Sequence, residues 1–228
     1  MWLCHLGLMP YAPALELQRR LARLRHLGRI DDILLIAEHP PTVTLGRFGK
    51  TENLLLSGEE LERRDIALER SDRGGDVTFH CPGQLVVYPI MDISGRPGRL
   101  RDFLFDLEEV AMRCLASYGI SAGRWSEHPG IWVDGRQIGA VGMRVSRAVT
   151  MHGLSLNVNP DLSRFKVINL CGLPGKEATS VAEQLGRRIR LWDVRRRLEK
   201  CFAGVFNVSL EEVSAEQVKE DSLTADRL

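Results

Sequence analysis

Two spacings of apolar residues alternate along this chain, and each predicts a different kind of element. Residues 2–8 read as a first strand. Over residues 13–27, Leu17, Leu21 and Leu24 share one helical face, and Arg19, Arg20, Arg23 and Arg25 form a solvated one. Residues 33–37 are a short β-rich run. His39-Pro40-Pro41 ends it, because proline lacks a donor and restricts the residue before it. A strand over 42–45 closes at Gly46-Arg47. Residues 50–58 read as an exposed loop, Ser57 as the N-cap of a short helix over 59–64, and 66–69 as a short strand. Val77, Phe79, Leu85 and Val87 are β-formers that predict sheet segments on either side of a Pro82-Gly83 turn. After the turn Ser94-Gly95-Arg96-Pro97-Gly98, the strongest helical pattern of the chain covers 100–118. Phe103, Leu107, Val110, Ala111 and Cys114 lie in its stripe, and Gly119 ends it. Asp134-Gly135 between β-prone arms predicts a hairpin, with its second arm running through 140–145. Leu154, Leu156 and Val158 alternate with Ser155 and Asn157, so a strand is expected after His152-Gly153. Asn159-Pro160-Asp161 is a turn, 165–168 a short helical or extended piece, and 191–206 the last helix.

Hairpins outnumber strand–helix–strand units, and no internal repeat is present. The expected class is therefore α+β, with a mixed, largely antiparallel sheet flanked by helices. Residues 1–207 form the expected domain. Residues 208–228, without aromatic side chains and rich in acidic and polar ones, read as a C-terminal tail.

Composition narrows the function classes. The 228 residues suit one domain, with 44% hydrophobic and 27% charged residues as in ordinary globular proteins. A formal net charge of +1 argues against a nucleic-acid partner. No apolar run approaches the roughly 20 residues that span a bilayer, and residues 1–10 lack the basic start of a signal peptide. The five cysteines show no CxxC spacing, which disfavours both a disulfide framework and a metal site. A monomer in the reducing cytoplasm is the expectation.

Three segments carry polar residues out of proportion to their length and are expected as loops: 73–84, 150–154 and 169–175. The third holds Cys171 beside glycine, hence accessible. Sulfur attacks only as thiolate and needs a nearby donor or cation. His80 and His152 are the candidates for that role, and the first segment opens with Arg73, a fixed cation with a planar fork of donors. The set suits acyl transfer through a thioester.

The same residues sit in strings that resemble the octanoyltransferases of lipoate biosynthesis. Tyr11-Ala-Pro-Ala14-Leu15-Glu-Leu17-Gln18 is similar to the family's Y-x-x-A-L-x-L-Q. Glu38-His39-Pro40-Pro41 with Thr44-Leu45-Gly46-Arg47 resembles E-H-P-P…T-L-G-R. The run from Arg73 to Tyr88 resembles R-G-G-x-x-T-[YF]-H-G-P-G-Q-x-V-x-Y. Ile138 to Val145 with His152-Gly153-Leu154-Ser155-Leu156-Asn157 resembles I-x-x-x-G-x-R-[VI]…H-G-x-[AS]-L-N, and Asn169-Leu170-Cys171-Gly172 falls where the family bears its catalytic cysteine. The likeness runs from Trp2 to about Asn207.

This resemblance implies the fold of the biotinyl- and lipoyl-protein ligase catalytic domain. It implies transfer of an octanoyl group from octanoyl-acyl carrier protein to a lysine of a lipoyl domain, in a dehydrogenase complex or the glycine cleavage H protein. Cys171 would carry the acyl-thioester. The acyl pocket would be lined by Arg73, Gly74, Gly75 and Asp76, then by Val77, Thr78, Phe79 and His80. Ala140, Val141 and Gly142, with His152, Gly153, Leu154 and Ser155, would complete it. No metal and no cofactor is implied, since the thioester already stores the activation energy. Two departures stand out. Gln137 takes the place of the family's lysine, which would lower the thiol's pKa, and this makes Gln137 the second catalytic candidate. Cys81 replaces a glycine and is read as a bystander. Lys176 is the expected substitute cation. The competing readings are an ATP-dependent lipoate-protein ligase, an acyl-binding protein weakened by Gln137, and a thiol hydrolase.

Overall fold

The computed structural model describes residues 1–96, 99–125 and 128–223. Pro97 and Gly98 of the expected turn, and residues 224–228 of the expected tail, lie outside them. In chain order the first elements are β1 (Trp2–Leu8), α1 (Tyr11–His26), β2 (Ile33–Glu38), β3 (Thr42–Leu45), α2 (Gly58–Arg63), β4 (Ala67–Arg70), β5 (Val77–His80) and β6 (Gln84–Ile90). Then follow α3 (Arg99–Ala116), β7 (Gly123–Trp125), β8 (His128–Val133), β9 (Arg136–Ser146) and β10 (Val149–Asn157). The chain continues with α4 (Val181–Leu185), α5 (Leu191–Phe206), β11 (Glu211–Glu212) and α6 (Ala215–Leu223).

Local chemistry accounts for most boundaries. α1 begins before Pro13, because the first turn of a helix has no intrahelical use for its N–H groups. Arg23, Arg25 and His26 occupy its last turn, where the helix dipole favours cations. Ser57 and Glu60 cap α2 reciprocally. Asp134 (φ 49°) and Gly135 (φ 76°) both adopt positive φ, the tight turn that joins β8 to β9.

The strands form an eight-stranded sheet in the order β11-β1-β2-β6-β10-β9-β8-β7 and a three-stranded sheet β4-β3-β5. Both sheets are mixed, and the large one is mostly antiparallel; the parallel pairs are β1 with β2, β1 with β11, and β3 with β4. Alternation along β6 divides the core. Leu85 and Val87 face the side covered by α3 and α5, with Phe103, Leu107, Leu198 and Phe202. Val86 and Tyr88 face the side covered by α1, with Leu17, Leu21 and Leu35. The small sheet has its own core of Val43, Phe79, Leu61 and Phe165.

The structure differs from the sequence expectation at two places that shape the site. Residues 150–154 are not a loop but part of β10, paired with β9 from Val149 to Leu156. The Thr150 hydroxyl donates to the Pro89 carbonyl of β6 at 2.7 Å, and the His152 amide donates to Gln18 Oε1 of α1 at 2.8 Å. Pairing of β10 with β6 covers only Leu154 to Asn157, because the strand kinks at His152 (φ 60°). Beyond residue 207 the chain returns to the sheet. Glu211 and Glu212 pair with Trp2 and Leu3, and Val218 of α6 is fully buried among residues of α1, β1 and β2.

Candidate active site

The kink in β10, the glycine loop ahead of β5 and the start of α3 enclose a cavity of about 270 Å³. Its walls carry nearly every residue the sequence singled out. Arg73, Gly74, Gly75, Asp76, Val77, Thr78 and His80 form one side, Ala140, Val141 and Gly142 the next, and His152 to Ser155 the third; Cys171 lies at its edge. Gln137 meets the cavity only through Cys171, and Phe79 does not line it at all. Strand alternation turns it away from Thr78 and His80, and it packs edge-on to Phe165 in the small-sheet core, ring centroids 5.2 Å apart. The structure adds Tyr11, Val86, Tyr88, Leu100, Leu104 and Met143.

Cys171 sits in a single tight turn over Leu170–Gly172, with φ at 53° and ψ at 25°. Gly172 must be glycine, since a Cβ there would lie 2.5 Å from Asp76 Oδ2. Asp76 anchors this loop: Oδ1 accepts from the Lys50 amide at 2.9 Å and Oδ2 from Asn53 Nδ2 at 2.6 Å. Asn53 in turn accepts the Asn169 amide at 2.9 Å. On the other side the chain after Cys171 bonds to the head of β9. Gln137 donates its amide to Glu177 at 2.9 Å and accepts from Thr179 at 2.8 Å.

This clamps the Gln137 side chain against the sulfur, and its Nε2 donates to Cys171 Sγ at 3.1 Å. Gly130 makes room for that amide, which stands 3.0 Å from where a Cβ would be. Burial pushes the Cys171 thiol above its ordinary value, while the Gln137 hydrogen bond and the Arg73 charge pull it down. Lys176 does not replace the missing lysine, because its ammonium sits over the Trp125 ring at 4.5 Å. Cys81 is buried in the small-sheet core, and burial drives its thiol up to about 12.

The two histidines do not bond to the sulfur. His80 Nδ1 donates to Gln84 Oε1 at 2.7 Å, and burial, with His39 nearby, lowers its pKa to about 3. His152 Nε2 donates to Asp72 Oδ1 at 2.6 Å, and burial lowers its pKa too. Asp72 also pairs with Arg144, and these contacts hold its carboxyl well below the usual range. Tyr11 stacks on His80, while His39 bridges the Met9 carbonyl and the Tyr88 hydroxyl, each at 2.6 Å. The cavity thus has an apolar rim of Leu100, Leu104 and Val141 and a wall of neutral, mutually bonded rings. That arrangement leaves a largely apolar space beside a thiol.

Overall shape identifies the class. Lipoate-protein ligase A bound with ATP matches with a TM-score of 0.79 at 17% identity, over 99% of this chain and 94% of that one. Biotin protein ligase from Aquifex aeolicus, in complex with biotin and ATP, matches with a TM-score of 0.53 at 15% identity, over 90% and 70%. The fold is that of the lipoate- and biotin-protein ligases. The profile described as "Lipoyl protein ligase A/B catalytic domain" matches residues 10–203, and the chain belongs to that family. Among its curated relatives, the octanoyltransferase of Chloroflexus aggregans is 44% identical over 90% of this chain and 94% of its own. That of Caldicellulosiruptor saccharolyticus is 40% identical over 95% and 93%.

Proposed function

We propose that this protein is an octanoyltransferase that moves an octanoyl group from octanoyl-acyl carrier protein to a lysine of a lipoyl domain, with Cys171 as the acyl carrier. The observation that carries the reading is the Gln137–Cys171 contact of 3.1 Å at the edge of a largely apolar cavity. The relatives' activity and the chain's coverage of them support the same assignment.

In the first step the Cys171 thiolate attacks the thioester carbonyl. The C–S bond to the donor breaks, and the donor sulfur leaves with the proton that Cys171 gave up. In the second step the neutral lysine amine attacks the Cys171 thioester, an amide forms, and the amine proton goes to the departing Cys171 sulfur. The Gln137 amide donates to sulfur in the resting site and to the carbonyl oxygen once charge develops there. Burial of the eight-carbon chain contributes about 0.8 kcal/mol for each methylene. Thioester exchange is close to thermoneutral, and the amide makes the second step downhill. The reading places the protein in the cytoplasm, as a monomer, with a lipoyl domain of a dehydrogenase complex or the glycine cleavage H protein as acceptor. Among the described residues no cysteine is in a disulfide, as that setting requires.

Intact-protein mass after incubation with octanoyl-acyl carrier protein tests this. An octanoyl adduct on the wild type, absent from Cys171→Ala and discharged by a lipoyl domain, is expected. Transfer that requires ATP and free octanoate would replace this reading with a ligase.

A further inference from the structure

We propose that Arg73 is the cation of this site: its buried guanidinium supplies the positive charge that favours the Cys171 thiolate, a charge Gln137 lacks. The inference rests on Cys171 being the nucleophile.

Arg73 is only 8% exposed. Its donors reach the Thr44 carbonyl at 2.7 Å, the Thr44 hydroxyl at 2.9 and 3.0 Å, the Gly74 carbonyl at 3.0 Å and the Asp76 carbonyl at 2.8 Å. All of these acceptors are neutral. Among the described residues no carboxylate lies within ion-pair distance of the guanidinium. All three nitrogens are therefore hydrogen-bonded while the charge stays unpaired, in a setting where charges act strongly on one another. Glycines make room for the group. A Cβ at Gly46 would lie 2.8 Å from Nη1, and one at Gly75 would lie 3.5 Å from it. Burying an unpaired guanidinium is costly. A loop tie alone does not require one, since amides and hydroxyls serve carbonyls equally well.

The charge stands at the cavity that the thiol borders. Arg73 and Cys171 line the same cavity. Nη2 holds the Asp76 carbonyl, and the Asp76 carboxylate abuts Gly172, next to the cysteine. The other groups that face the cavity contribute no positive charge. His80 and His152 are neutral near pH 7, and burial keeps Tyr11 and Tyr88 protonated. Lys176 is engaged with Trp125. Asp76 is the opposing anion, with its carboxylate tied to the Lys50 amide and Asn53. Burial raises the Cys171 thiol overall, and Gln137 and Arg73 are the groups that work against that rise.

The test is the pH profile of Cys171 alkylation by iodoacetamide on the full chain, followed by intact mass, which needs neither donor nor acceptor. Arg73→Gln is expected to raise the midpoint by about one pH unit and slow alkylation about tenfold on the acid side. Asp76→Asn is expected to lower the midpoint. Gln137→Lys added to Arg73→Gln restores the wild-type profile, which it cannot do if Arg73 is only a structural tie. An unchanged midpoint in Arg73→Gln overturns the proposal. Should Arg73→Gln not fold, Gln137→Leu carries the test. With Arg73 still in place, its midpoint is expected to move by less than about one pH unit from the wild type; a larger rise, as if Gln137 alone favoured the thiolate, overturns the proposal. A normal profile with no octanoyl adduct from the donor would instead count against Cys171 as acyl carrier and leave Arg73's role standing.

Discussion

Cys171 is held in a conformation that a residue with a Cβ avoids, at a cost of about 1 kcal/mol. The neighbouring ties to Asn53, Asp76 and Glu177 keep it there. Cys171→Gly is therefore expected to retain or raise the melting temperature in calorimetry while abolishing the acyl adduct. The histidines give a second expectation. Each of His39, His80 and His152 is neutral in the fold, with a pKa below the ordinary value of 6.5, and each regains that value on unfolding. The unfolded chain thus binds more protons as pH falls below about 6.5, and stability falls with it. The loss is about 1.4 kcal/mol per pH unit for each group that titrates only in the unfolded chain. It levels off near pH 3 for His80. Denaturant midpoints at pH 7 and pH 5 check the sign; equal midpoints would mean that these imidazoles are charged in the fold. Arg73, His80, His152 and Cys171 were legible in the sequence because polar residues clustered beside glycine. Tyr11 and Tyr88 were not, since each lies in a regular apolar pattern and shows its cavity role only when α1 and β6 meet. Phe79 shows the reverse error: it stands inside a functional string, yet alternation with Thr78 and His80 turns it to the core.

The cavity exists because β10 leaves β6 at His152. Gly153 makes that departure possible: a Cβ there would collide with the Val87 carbonyl oxygen and lie 2.8 Å from Pro89 Cδ. Gly153→Ala is expected to destabilise the domain by about 3 kcal/mol, read from denaturant unfolding. Helix α3 sets the reach of the cavity through Leu100 and Leu104. Leu104→Ala should favour acyl chains longer than octanoyl, and Leu104→Phe shorter ones. The ratio should change about fourfold for each methylene gained or lost, as about 0.8 kcal/mol requires. Adduct formation across a series of acyl donors measures it. An unaltered chain-length preference in both variants would remove α3 from the pocket. The hairpin of β8 and β9, and the helices α1, α3 and α5, could be read locally, because turn chemistry and helical spacing are properties of neighbouring residues. The strand through 150–154 could not. Its glycine and polar side chains signal a loop until Pro89 and Gln18, distant in sequence, supply the hydrogen bonds.

At the scale of the molecule, residues 211–223 complete the large sheet and cover α1, the helix that carries Tyr11 and Gln18. Composition hides this, because α6 offers few apolar residues, and Val218 is the one that it buries completely. Val218→Asp places an unpaired charge in that core. The expected loss is on the order of 3 kcal/mol, or roughly 10 °C in melting temperature. The alkylation midpoint of Cys171 should stay unchanged, because among the described residues α6 packs on α1 and β1. The pairing of β1 with β11 has a further consequence for synthesis. The Met1 ammonium donates to the Ser209 carbonyl, a partner 208 residues away, so β1 is bordered by a strand translated long after it. At usual elongation rates that partner emerges roughly 10–40 s later. During this interval the outer edge of β1 is open to any other nascent strand. The ribosome's pace, and the chaperones that attend it, therefore govern the yield of this protein as directly as its finished stability does.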